Sequence, residues 1–283
     1  MNALSRCAVL MGKTLVVLAL AAAFSRQSFA VEKKEGRVTQ TVHDVHLLAG
    51  HAAPRPAAVN DDVHEGMAVR TGTDSRAELT FIDKTLTRLG ADTVFSLGSS
   101  ARTYDLGGGA ILIYAPKNLG PVRVNTSAVT AAVTGFTAMF EFHPNSWSKF
   151  IILEGEGTLT LKNHPGESCR LHAGQMMIIP PHPRKCPEVV NIDLNKLIKT
   201  AKLITKFPPL PSLGIILAEA ESQQASPPSS GLVDPTGLDA TDQAAAARPT
   251  SAPTRSTGAA GATAPTAPPT PPPAYLLKAP PKP

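Results

Sequence analysis

Beyond its first thirty residues, this 283-residue chain has no apolar run long enough to cross a bilayer, which needs about 20 residues. It has no CxxC or HxxxH pair, so no zinc ligands stand at the usual spacing. It has no GxSxG elbow, and Ser75 lies where a strand begins, so a serine nucleophile held on a sharp turn is missing as well. The Gly-rich stretch GGGAILIY opens a strand; phosphate-cradling loops instead lead into a helix and carry Lys-Ser/Thr. Charge of one sign is also short: 27 Lys and Arg stand against 22 Asp and Glu, a formal net charge of +5.

What is present begins with an export pattern. Arg6 and Lys13 precede the apolar run TLVVLALAAAF, and SRQSFA follows with Ser28 and Ala30 at the small-residue positions. Residues 1–30 are expected to be a signal peptide cleaved after Ala30. Cys7 precedes the apolar core, whereas a lipid-bearing cysteine would follow it. Cleavage removes Arg6, Lys13 and Arg26 and no acidic residue, lowering the net charge from +5 to +2. That balance gives no electrostatic footprint for nucleic acid. The expected location is periplasmic or secreted. The mature chain keeps Cys169 and Cys186, an even count that fits a disulfide in an oxidising compartment and equally leaves room for two free thiols.

From Val31 to about residue 190 the pattern is mainly β: short apolar alternations separated by Gly, Asn and Asp turns. In RAELTF, Ala77, Leu79 and Phe81 point one way and Arg76, Glu78 and Thr80 the other, which places the second set in solvent. TVFSL, AILIY, VRVNTSAVTAAV, TAMFEF, KFIILEG, GTLTL and QMMIIP read as further strands. Their length and the frequent glycines suit a sandwich, a barrel or a solenoid of stacked strands, with Gly107–Gly109 as a flexible corner. In residues 191–221, Leu194, Leu197, Ile198, Ala201 and Ile204 recur at helical spacing with Lys196, Lys199 and Lys202 off the stripe. One amphipathic helix docked on the β domain is expected, ended by PPLPS. From residue 222 to 283 the chain turns to Ala, Pro, Ser and Thr and reads as a disordered tail.

Candidate chemistry is thin. His43 and His46 are three apart in a strand-like context and would face opposite ways. His164, His172 and His182 surround the two cysteines, and EGEGTLTL with AGQMMIIPP has the outline of half a cupin. That family's HxH followed by a Glu is missing upstream, and a metal needs converging ligands. Glu154 and Glu156 flank Gly155 and read as solvent-facing turn residues. No catalytic, cofactor-binding or metal residue is assigned.

The series VHEGMAVRTGTDSRAELTFIDKTLTRLGADTVFSL, DLGGGAILIYAPKNLGPVRVNTSAVTAAVTGFTAMFEF, KFIILEGEGTLTL and LHAGQMMIIP resembles the FecR domain, over about residues 38 to 180. The residues that carry the resemblance are Gly66, Gly72, Ser75, Arg76, Ala77, Leu79, Phe81, Arg88, Leu89, Gly90, Gly135, Gly155 and Gly174. Met67 and Phe136 stand where members commonly have an acidic residue and a Thr. The resemblance implies a periplasmic module. In the regulators for which the family is named, a cytoplasmic anti-sigma segment and a membrane span come first, and here a signal peptide is expected in their place. The leading expectation is therefore a non-enzymatic binding or scaffold module of the cell envelope, without cofactor, whose partner is an envelope protein or polysaccharide. The alternatives are a periplasmic sensor component and, last, a cupin-like metal enzyme.

Overall fold

The computed structural model describes residues 35–50 and 52–235; the expected signal peptide and most of the expected tail lie outside the described residues. The strands are β1 (Glu35–Val42), β2 (Val45–Ala49), β3 (Arg55–Pro56), β4 (Asp62–His64), β5 (Met67–Thr71), β6 (Arg76–Phe81), β7 (Leu86–Leu89) and β8 (Val94–Leu97). They continue as β9 (Thr103–Ala115), β10 (Val122–Asn125), β11 (Val129–His143), β12 (Trp147–Leu161), β13 (His164–His172), β14 (Gln175–Ile179) and β15 (Val190–Asn191). Three helices follow: α1 (Leu194–Thr200), α2 (Lys202–Thr205) and α3 (Leu213–Ala225).

The fifteen strands form one open mixed sheet whose main path runs β15-β14-β12-β11-β10-β9-β7-β6-β1-β4. The pairs are antiparallel except for β10 beside the first residues of β9. A second branch, β2, β3, β5 and β8, joins through β8 to the same part of β9. Alternation explains the layering, because successive side chains take opposite faces. Ala77, Leu79 and Phe81 of β6, Ile111 and Ile113 of β9, Phe140 of β11 and Phe150 of β12 share one buried core with Val45, Leu47, Val69 and Phe95 from the branch. Phe140 and Phe150 meet edge to face at 4.5 Å there.

The opposite face of the sheet carries a second apolar cluster. Leu112, Ile151, Leu153, Met176 and Ile178 pack against Leu194, Leu197, Leu203, Ile204, Phe207, Leu210, Ile216 and Ala220 from the helical segment. Burial on both faces, here by helices on one side, is what turns an otherwise half-solvated antiparallel sheet into a covered one.

Long strands pass between the two parts of the sheet at glycine bends. Gly155 in β12 has φ +81, and a Cβ there would lie 2.8 Å from the Gly135 carbonyl oxygen on β11. Gly109 in β9 has φ +86, and a Cβ there would lie 2.5 Å from the Thr93 Cα. Gly107–Gly109 is therefore the middle of a thirteen-residue strand, where a flexible corner was expected, and close approach of the neighbouring backbone requires glycine at Gly109.

The helical segment also departs from expectation. Asp193 caps α1, accepting a hydrogen bond from the Lys196 N–H at 3.0 Å. The expected single helix then breaks at Ala201 (φ −68, ψ 118), which redirects the chain so that Leu203 and Ile204 reach the same apolar layer as Leu197. A third helix, α3, runs past residue 222, where the tail was expected to begin. No described helix is long and apolar enough to cross a membrane.

Candidate functional site

Counting outward from the Ile82–Lys84 turn fixes the register of β6 and β7. The Phe81 N–H donates to the Thr85 carbonyl, and Lys84 takes φ +65. Glu78 then stands directly opposite Arg88. The expectation that Glu78 faces solvent fails, because the helical segment covers this face: Glu78 is 7% exposed and Arg88 is fully buried. Arg88 Nε donates to Glu78 Oε2 at 2.9 Å, Nη1 to the Leu203 carbonyl at 3.0 Å and Nη2 to the Pro208 carbonyl. Its guanidinium also lies 4.9 Å from the Phe207 ring centroid. Thr39 Oγ1 donates to the other Glu78 oxygen at 3.0 Å. Burial pulls the Arg88 pKa down, opposed by its hydrogen bond and attraction to Glu78. Arg76, expected beside Glu78 at the surface, pairs instead with Asp74 at 3.2 Å.

A second buried polar contact lies along the same face. The register of β11 and β12 shifts between Thr134 and Ala138, so that Thr137 pairs with Glu154 and Ala138 with Ile152. Leu153 is the extra residue of a bulge, and bulges re-aim the side chain that follows. Glu154 is brought to the helix-covered face and buried, whereas Glu156 beyond Gly155 stays exposed. Thr137 Oγ1 donates to Glu154 Oε2 at 3.0 Å. The Thr137 hydroxyl has one proton, so Ser212, with its Oγ 2.6 Å away, donates to it. Ser212 precedes α3 and leaves the helix uncapped by its side chain. Lys117 approaches the remaining Glu154 oxygen at 3.6 Å.

Between these contacts and the β5–β6 loop opens a groove of about 550 Å³. Ala110, Met139 and Leu203 form its floor, and Asp74, Arg76, Glu141 and Lys202 its rim. Arg76, then Lys202 at 3.7 Å, holds the Asp74 carboxyl below its ordinary range. At the far end Glu141 pairs with buried Lys149 at 3.3 Å and contacts His143 at 2.9 Å. On the rim Asp74 contacts both Arg76 and Lys202, while Glu141 is held by Lys149 and His143, an arrangement of paired charges that can grip a polar chain.

The sequence candidates for chemistry do not assemble. His164 and His172 are the two ends of β13, roughly 26 Å apart at strand rise, and His182 lines a separate cavity with His143 and Trp147. No group of His, Cys, Asp and Glu among the described residues could hold a metal ion. His43 sits in a turn at φ +59, its ring bonded to the Asp74 carbonyl, and His46 contacts Asp44 at 3.0 Å. Cys169 and Cys186 are joined by a disulfide with Cα atoms 5.6 Å apart. Of the family-motif residues, Ser75 donates to the Thr73 carbonyl and accepts from the Asp44 N–H, tying the β1–β2 turn to the start of β6. Gly90 receives the Thr71 hydroxyl at 2.6 Å, and Gly174 turns β13 into β14 at φ +76. Thr137, Glu154 and Ser212 were not legible as partners. The Glu78–Arg88 pairing follows from the Ile82–Lys84 turn by register alone.

A mainly β domain with a covered second face, held by buried polar pairs, is the class this geometry defines. Residues 67–156, running from β5 into β12, match the FecR protein family. Two crystal structures of a "putative anti-sigma factor" from Parabacteroides distasonis ATCC 8503 are similar, each at TM-score 0.39 and 14% identity over 47% of this chain. This chain covers 64% and 65% of those two, less than two thirds of their length. No curated protein matches.

Proposed function

We propose that the chain is an exported, non-enzymatic FecR-domain protein that serves as a binding or scaffold module in the cell envelope. The observation that carries this reading is how the FecR domain uses its buried polar groups. Arg88 and Thr137, backed by Glu78 and Glu154, hold one chain segment to the sheet, the kind of work a recognition surface does. The groove beside them has an apolar floor and a rim of both charges, suited to a protein or polysaccharide chain. Crosslinking in intact cells followed by affinity capture of the full chain tests the reading. A specific envelope partner is expected, recovered with the chain from the periplasmic or secreted fraction. Turnover of a substrate, or a stoichiometric metal found by elemental analysis, would sink it and favour an enzyme.

The FecR match supports a second reading, a sensor component in extracytoplasmic signalling. It predicts that deleting the chain changes the transcription of a sigma-factor regulon. An unchanged transcriptome under inducing conditions excludes it.

A further inference from the structure

The polar slot on the helix-covered face lies within the FecR match, at Glu78, Arg88, Thr137 and Glu154, while the segment that fills it, residues 203–212, lies some way beyond its end. That segment, LITKFPPLPS, is held as a bound peptide is held. Arg88 reads two of its backbone carbonyls, Leu203 and Pro208, which any sequence could present. Phe207 and Leu210 are buried while Pro208, Pro209 and Pro211 stay exposed, on a course that bends at Phe207–Pro208 and turns again at Pro211–Ser212. Ser212 closes the far end through Thr137. The segment's first three residues belong to α2 and the rest is irregular chain.

An ordinary sheet-to-helix contact would be apolar throughout, since a buried ion pair commonly contributes no more than well-packed hydrophobic residues in its place. Here the FecR face keeps a buried guanidinium whose spare N–H groups point at a separate segment of chain. A chain with three prolines, each fixing its own φ, also loses less entropy on docking.

We propose that this slot is a peptide-recognition site, filled in cis by residues 203–212. A partner protein carrying a segment of the same chemistry can occupy it in their place: an aromatic residue, Leu three positions on, Ser two further on, with prolines between. The proposal rests on the binding-module reading and names its partner.

The test uses the full chain and a labelled peptide, KLITKFPPLPS. In one variant the strap loses its anchors through Phe207→Ser and Leu210→Ser, with the slot untouched. This variant is expected to bind the peptide saturably, at least about ten-fold more tightly than the native chain, a difference of about 1.4 kcal/mol. A scrambled peptide is expected not to bind, and Arg88→Lys in the same background is expected to cost about ten-fold again, because Lys cannot reproduce the forked contact. A folded variant that shows no saturable binding at millimolar peptide overturns the proposal. If the variant does not fold, hydrogen exchange on the native chain decides: strap amides that open well before global unfolding support an exchangeable strap, and strap amides that exchange only with the whole domain overturn it. Peptide failure with a partner still captured from intact cells overturns the slot and leaves the binding module standing; failure of both removes both.

Discussion

Arg88 shows how much one side chain can depend on residues far along the chain. In β7 it is an ordinary alternating position, with Leu86 beside it on one face and Thr87 and Leu89 on the other. Its burial comes from residues 203–208, which cover it and accept two of its hydrogen bonds. Replacing it as Arg88→Met leaves Glu78 buried without its charge partner, and the expected loss is about 3–5 kcal/mol in chemical denaturation. The double variant Glu78→Gln with Arg88→Met is expected to recover part of that loss, because no buried charge is then orphaned. Asp74 is the opposite case, an exposed carboxyl whose pKa is lowered by the hydrogen bond from Arg76 and by Lys202. A depressed folded value means that its contribution is complete above the unfolded pKa of about 3.9 and is lost as pH falls through the lower folded value. Carboxyl NMR titration is expected to place its midpoint below 3.9, and Arg76→Gln to move it back toward that value.

At the scale of elements, the long strands are defined by where they bend. Gly155 stands at φ +81 against the Gly135 carbonyl, and the bulge beside it aims Glu154 at Thr137. Gly155→Ala combines a left-handed conformation, costing roughly 1–2 kcal/mol in an L residue, with a contact of 2.8 Å to backbone that cannot swing aside. It is expected to lower the melting temperature and loosen α3, read as faster amide exchange in Leu213–Ala225. The disulfide ties β13, an element paired only with β12 among the described residues, to the segment that leads from β14 to β15. Its closed loop is short, so Cys169→Ser with Cys186→Ser is expected to cost about 3 kcal/mol on the chain-entropy account. Equal stability of the reduced and oxidised native protein would show that the bridge has no such role.

Over the whole molecule, the apolar alternation in RAELTF, TAMFEF and KFIILEG correctly locates the strands and their inner face, because a strand's side-chain period is a local property. The turn at Ile82–Lys84 is equally local, and register follows from it by counting. The stripe Leu194, Leu197, Ala201 and Ile204 marks helix, but its break at Ala201 is set by what it packs on. Local pattern alone points to a mainly β domain with an apolar helical segment after it. That the outer faces of β6, β7, β9, β11 and β12 are interior follows from packing, since it depends on a segment more than a hundred residues downstream of Glu78 and Arg88. Alternation reports which residues share a face, and solvent or cover on that face is a fact about what else the chain brings to it.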